Sequence, residues 1–314
     1  LANNVIFTVF AFVVLQGTVF PLLVETFEDR QTVVGAPYFD GLAMPIGLVL
    51  LFLMAVAPVL PWRKASTELL GQRLFWPAWA GAGALAVALL VGADGWAPLA
   101  AFFLAGFAAG AALRQIVLAT RRQGWRGLVG RANGGMIVHL GVILVAVALV
   151  ASNAYTTNVK RELSVGEPVE VLGRQLELTE VVVTKDARQE RAAARVVVDG
   201  GRVLEPAMTT YLRMGLVIPT PGVHTSLTRD LYITIEGNDP PIEGATSVRL
   251  RVHNKPLMLW MWTGGLLAAV GTVLAAFPGK RRRNPIDPVS APLPTAGGAA
   301  PDRDPEPEPE LEHV

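Results

Sequence analysis

No cysteine occurs among the 314 residues. The chain can therefore neither close a disulfide, nor relay thiols, nor bind a metal through thiolate, and any part of it on an oxidising side must be held by its own core. Charge is scarce as well: 17% of residues are charged against 52% hydrophobic, the balance of a membrane protein. The net charge of +1 leaves no basic surplus, and no nucleic-acid partner is expected. A Gly-rich phosphate loop, an HExxH pair and a Gly-x-Ser-x-Gly elbow are all missing, which removes the soluble enzyme classes they mark. There is no initiating methionine, and no charged n-region or small-residue cleavage site precedes the first apolar run. An N-terminal part is expected, either upstream of Leu1 or on a separate chain.

What is present is a series of apolar runs. A crossing of ~30 Å at ~1.5 Å per residue needs about 20 residues, and such stretches fall at 4–25, 41–61, 75–92, 98–118, 135–152 and 257–277. Arg63, Lys64, Arg73, Arg121, Arg122, Arg126 and Arg131 lie in the connections 62–74 and 119–134, and Lys280 to Arg283 follow the last run. Basic residues stay on the cytoplasmic side. Residues 153–256 and the 26–40 loop are then expected on the periplasmic or extracytoplasmic side. In that loop "VGAPYFDG" reads as a compact interfacial turn with Tyr38 and Phe39 at headgroup depth.

Between 153 and 256 the pattern changes to strand-like alternation. "GEPVEVLGRQLELTEVVVTKD", "DLYITIEG" and "ATSVRLRVHN" are rich in Val, Leu and Ile, and Asp199-Gly200 separates two short runs as a hairpin turn does. A small sandwich or barrel is expected. From Asn284 the Pro, Asp and Glu content, ending "PDRDPEPEPELEHV", reads as disorder. The expected fold is a polytopic α-helical membrane protein of about six transmembrane helices with an inserted periplasmic all-β domain and a disordered cytoplasmic tail. Its divisions are 1–152 (a five-helix bundle), 153–256 (the β-rich domain), 257–279 (the sixth helix) and 280–314 (the tail).

Ionisable groups inside the apolar runs are few. His139, in "GGMIVHLGVILVAVALVASNAY", lies about one turn inside the fifth run, roughly 6 Å of rise from its cytoplasmic end. An imidazole in hydrocarbon needs a donor, an acceptor or a metal. Its helical neighbours are Gly135, Met136, Val142, Ile143 and Ala146. That face is apolar, with Gly135 and Ala146 small enough to admit a flat ligand such as haem. A packed neighbouring helix, with the ring hydrogen-bonded to a hydroxyl or carbonyl, fits it equally well. Arg114 and Gln115 lie near the inner end of the fourth run. Arg114 either snorkels to the interface or pairs with an anionic group such as a haem propionate. His224 and His253 fall in turn-rich or interfacial sequence and read as exposed, and His313 lies in the tail.

Read together, "NNVIFTVFAFVVLQGTVFPLLVE", "VGAPYFDGLAMPIGLVL", "APVLPWR", "GGMIVHLGVILVAVALVASNAY", "VGEPVEVLGRQLELTE", "DLYITI" and "VHNKPLMLWMWTGGLL" resemble, in order, the C-terminal half of the CcmF family. These are the haem-lyase subunits of the bacterial System I cytochrome c maturation pathway. The resemblance implies that His139 is an axial ligand to a membrane b-type haem (haem b), with the second ligand unknown and contributed by the N-terminal half or subunit. It also implies attachment of haem to the Cys-x-x-Cys-His motif of apocytochrome c, with the haem chaperone CcmE, CcmH and CcmI as partners, in the bacterial inner membrane. The family's tryptophan-rich motif and periplasmic histidines belong to the other half and are missing here, so catalytic residues are unknown and the chain looks like half an active site. The competing class is a non-enzymatic membrane scaffold or transporter whose β-domain binds a partner and whose His139 is structural. A transporter is expected to show repeats or broken helices, and the sequence has neither.

Overall fold

The computed structural model describes residues 2–30, 32–59, 67–237 and 239–277. The expected tail 280–314, with Lys280 to Arg283 and His313, lies outside the described residues, as do Arg63 and Lys64. Among the described residues, six helices are long and apolar enough to cross a membrane: α1 (Ala2–Glu28), α2 (Ala36–Val56), α3 (Thr67–Leu90), α4 (Trp96–Gln123), α5 (Arg131–Tyr155) and α6 (Met258–Ala276). Among the described residues, ten strands separate α5 from α6.

The second helix starts earlier than expected. Pro37 occupies its first turn, where a missing N–H costs nothing, so Tyr38 and Phe39 belong to the helix and not to a headgroup loop. Both rings close over α1 at Gly17: a Cβ added there would meet the Phe39 Cζ atom at 2.6 Å. The Tyr38 hydroxyl donates to the Val13 carbonyl at 3.2 Å.

The bundle is built on small residues, since lipid offers no hydrophobic reward for helix association and close backbone approach supplies dispersion instead. On α5, Gly134, Val138, Gly141 and Val145 face Gly264, Ala268, Gly271 and Ala275 of α6. A Cβ at Gly141 would meet the Ala268 nitrogen and the Gly264 carbonyl oxygen, each at 2.6 Å, and one at Gly271 would meet the Val138 nitrogen at 2.6 Å. The other side of α5 packs on α4, against which α2 also packs, and Leu51, Ala55, Ala105, Phe107, Ala108 and Ile143 form one buried cluster.

The strands form two antiparallel sheets. One takes β1 (Thr157–Ser164), β10 (Ser247–Pro256), β9 (Arg229–Ile235) and β8 (Gly222–His224) in that order. The other runs β2 (Pro168–Val171), β3 (Arg174–Lys185), β4 (Gln189–Val198), β6 (Ala207–Tyr211) and β7 (Leu216–Thr220), with β5 (Arg202–Leu204) also on β4. Alternation decides the faces: on β10, Val248, Leu250 and Val252 point inward, while Arg249, Arg251 and His253 do not. These meet Leu163, Ile233, Leu176, Leu178, Val196 and Met208 in a single core, so the expected sandwich is present. Asp199 and Gly200 take positive φ between β4 and β5, as the turn reading requires.

Candidate functional site

α5 fixes the setting of His139. Its glycine seam turns Val138 and Gly141 toward α6, and Ile143 enters the cluster with α2 and α4. His139 lies between these two faces and is half-buried. Among the described residues, its Nδ1 is the one buried side-chain polar atom with no hydrogen-bond partner. Leaving such a group unpaired costs on the order of 1–3 kcal/mol.

The structure divides the apolar face read around this histidine. Ile143 is buried and Ala146 packs against the α2–α4 cluster, so neither is available to a flat ligand. Gly135, one turn before His139, has nothing within 4 Å of where its Cβ would stand, and Val142 is exposed. The open strip is therefore Gly135–His139–Val142, on the flank of the helix away from Ile143.

Arg114 and Gln115 separate in role. Gln115 is buried and its Nε2 donates to the Pro58 carbonyl at 2.7 Å; Arg73 donates to the Val59 carbonyl at 3.3 Å. Both therefore satisfy carbonyls left over where the helix of α2 runs out. Arg114 is partly buried, within reach of the like charge of Arg73, and among the described residues no carboxylate lies at ion-pair distance from it. It lies at the same end of the bundle as His139, though no hydrogen bond joins the two. Reading the sequence set Arg73 in a connection, whereas it lies in α3, and missed the α5–α6 seam; the matched seven-residue spacings Gly134/Gly141 and Gly264/Gly271 were the visible signal for the latter.

On the sandwich, His224 Nδ1 is paired with the Arg202 guanidinium at 2.8 Å. His253 stands opposite Asn158 on one side and Tyr232 on the other. Burial, together with Lys255 and Arg251, holds its imidazole below the usual range. Glu236 accepts from Arg251 at 2.6 and 2.7 Å and pairs with Lys160, which brings its carboxyl down to about 2. Among the described residues, no group of three or more His, Cys, Asp or Glu side chains is placed to hold a metal ion.

No family model matches the chain. The cytochrome c-type biogenesis protein CcmF of Pseudomonas fluorescens is 32% identical over 286 residues, covering 88% of this chain and 43% of that protein. The match is to the C-terminal half of CcmF. CcmF of Pseudomonas aeruginosa is 30% identical over 287 residues, and CcmF of Escherichia coli 25% identical over 299. A solved structure titled cytochrome c haem lyase CcmF superposes with a TM-score of 0.71 at 28% identity, covering 88% of this chain and 45% of that one. The chain thus spans less than half the length of the CcmF proteins it matches. The six apolar helices fit a multi-pass membrane protein, and the relatives it resembles are cytochrome c-type biogenesis proteins.

Proposed function

We propose that this chain is the haem-holding, membrane-embedded half of a System I cytochrome c haem lyase, and that His139 supplies one axial ligand to a b-type haem. The observation that carries this reading is the imidazole itself: a half-buried ring in an apolar helix, its Nδ1 enclosed without a partner, beside an open strip at Gly135. Imidazole is a common haem ligand, and the strip offers apolar surface for a porphyrin edge. Arg114 is the residue of this chain suited to a propionate, being a cation without a carboxylate partner among the described residues. The second iron ligand comes from the N-terminal half or subunit. When bound, such a haem supplies one-electron chemistry; the protein's part is to ligate the iron, exclude water and set the local charge.

In the same reading the sandwich is a docking platform for the haem chaperone CcmE and for apocytochrome c presented by CcmH and CcmI. The exposed apolar side chains of the β6–β7 hairpin, Met214, Leu216 and Ile218, support it. The lyase product forms when each apocytochrome thiol adds across a haem vinyl group, its sulfur bonding one carbon and its hydrogen going to the other. We place the sandwich on the periplasmic side of the bacterial inner membrane, because it caps the end of the bundle opposite Arg121 and Arg122.

The test is His139→Ala in membranes that also hold the N-terminal complement. The low-spin b-type spectrum and cytochrome c assembly are both expected to vanish while the chain still inserts. An unchanged haem spectrum ends the ligand assignment. Retention of pigment and maturation in His139→Asn or His139→Gln shows instead a packed hydrogen-bonding residue.

A further inference from the structure

The loop between β8 and β9 is tied to the point where α6 enters the membrane. α6 has 19 residues, about 28 Å at 1.5 Å per residue, just enough for a hydrocarbon layer of ~30 Å. Its first turn must therefore lie at the boundary, and Trp260 and the 71% exposed Trp262 stand there. At the same end of the bundle are Trp96, at the start of α4, and Tyr155, closing α5, whose hydroxyl donates to the Asp94 carbonyl at 2.7 Å. Together they form the aromatic girdle expected where bilayer meets water.

Two hydrogen bonds hold the loop to this level. The Trp260 indole N–H donates to the Leu227 carbonyl at 2.8 Å, and the Leu257 N–H donates to the Thr228 carbonyl at 3.0 Å. The loop is also braced internally. Asp230, only 4% exposed, accepts from the Ser226 N–H and the Thr225 hydroxyl, each at 3.2 Å, and the Arg229 N–H donates to the Ser226 hydroxyl at 3.2 Å. At the tip of this rigid turn, among Thr, Ser and Arg, Leu227 is 69% exposed. Two residues on, Arg229 is exposed and, among the described residues, has no carboxylate partner. An apolar side chain at the boundary with a free cation just beyond it is the chemistry of a lipid contact: the side chain enters the acyl edge and the guanidinium meets headgroup phosphate.

We infer that the Thr225–Arg229 turn is a lipid-binding element, a third attachment of the sandwich to the bilayer beside its two covalent links to α5 and α6. The three attachments stand side by side along the membrane-facing edge of one sheet, because β1, β10, β9 and β8 are successive neighbours. The turn thus extends the contact of that edge with the bilayer past α6. This inference rests on the six spans and not on any haem ligand.

The chain's lack of cysteine makes the test direct. Leu227→Cys and, as a control at the far end of the β1–β10 ladder, Thr246→Cys are each labelled with an environment-sensitive nitrobenzoxadiazole dye. Both are placed in phosphatidylcholine–phosphatidylglycerol vesicles carrying nitroxide-labelled acyl chains. The dye at 227 is expected to emit blue-shifted and to lose at least half its intensity to the nitroxide, with the dye at 246 unaffected. Because a dye can itself seek lipid, the unlabelled Leu227→Cys thiol is also timed against a water-soluble maleimide. It should react at least fivefold more slowly in vesicles than in detergent-free lipid nanodiscs doped with short-chain lipid to loosen the boundary. Water-like emission without quenching at 227, or blue-shifted emission without quenching, which means cover by protein, overturns the inference.

Discussion

The helical bundle and the sandwich are held together by different residues for one reason, the solvent each is built for. In the sandwich the largest fully buried side chains are leucines and isoleucine: Leu163, Leu176, Leu178, Ile233 and Leu250 leave water completely. In the bundle, Pro77 apart, the fully buried helical positions are alanines such as Ala55, Ala108, Ala111 and Ala148, and the tightest approaches are at glycines. Water rewards the burial of carbon, whereas lipid rewards only fit. The polar groups follow the same division. Histidines on the sandwich have water or a guanidinium within reach and signal little; the one inside the bundle has no such recourse.

The largest effect should come from the water-built core. Leu178→Ala is expected to cost about 2–5 kcal/mol by loss of burial and creation of a cavity, seen as a lower midpoint for loss of β-sheet circular dichroism in the full chain. Gly141→Val tests the lipid-built seam. Its side chain must displace α6 backbone, and a loss of about 1–3 kcal/mol is expected, read as a lower midpoint for loss of helical circular dichroism. If both substitutions cost the same and melt the same signal, the two regions are not held separately.

Smaller still is an acid effect confined to the sandwich. The Glu236 carboxyl is held at about 2 against an ordinary 4.5, first by Arg251 and then by Lys160. Because the folded value is the lower one, this contribution is complete above about pH 4.5 and fades as pH falls toward 2. Glu236→Gln should therefore flatten the dependence of β-sheet stability on pH between those limits and leave the bundle unmoved; an unaltered slope rejects the ion-pair account. The smallest change expected is in Gly135→Ala. With open space at that Cβ, the helix gains at most about 1 kcal/mol of propensity. A measurable loss of stability there shows that the strip beside His139 is filled by a packed neighbour.

How far the sequence could be read follows the same division. Long apolar runs made the six helices plain, yet α2 was begun five residues late, because Ala-Pro-Tyr-Phe resembles a turn unless proline is taken as a first-turn residue. Period-two alternation disclosed strands such as 248–252, and Asp199-Gly200 disclosed a turn. The sorting of ten strands into two sheets was not legible, since β1 pairs with β10 across some 90 intervening residues. At the site, an imidazole in an apolar run was conspicuous by composition alone. Which of its helical neighbours stay open was not: Ile143 and Ala146 look as free as Gly135 and Val142 until α4 is laid against them.

The β1–β10 pairing also sets an order of events. The ladder runs from Thr157↔Asn254 to Ser164↔Ser247, so the first strand made waits, unpaired on that edge, until the last is synthesised. β8 and β9 pair with each other as a hairpin but join β1 only through β10. The other sheet carries no such debt, for its neighbours arrive in near succession. During synthesis the β2–β7 sheet can therefore zip first, while β1 is paired only when β10 arrives, immediately before α6. Until then the β1 edge stays open, with its backbone N–H and C=O groups unpaired on that side.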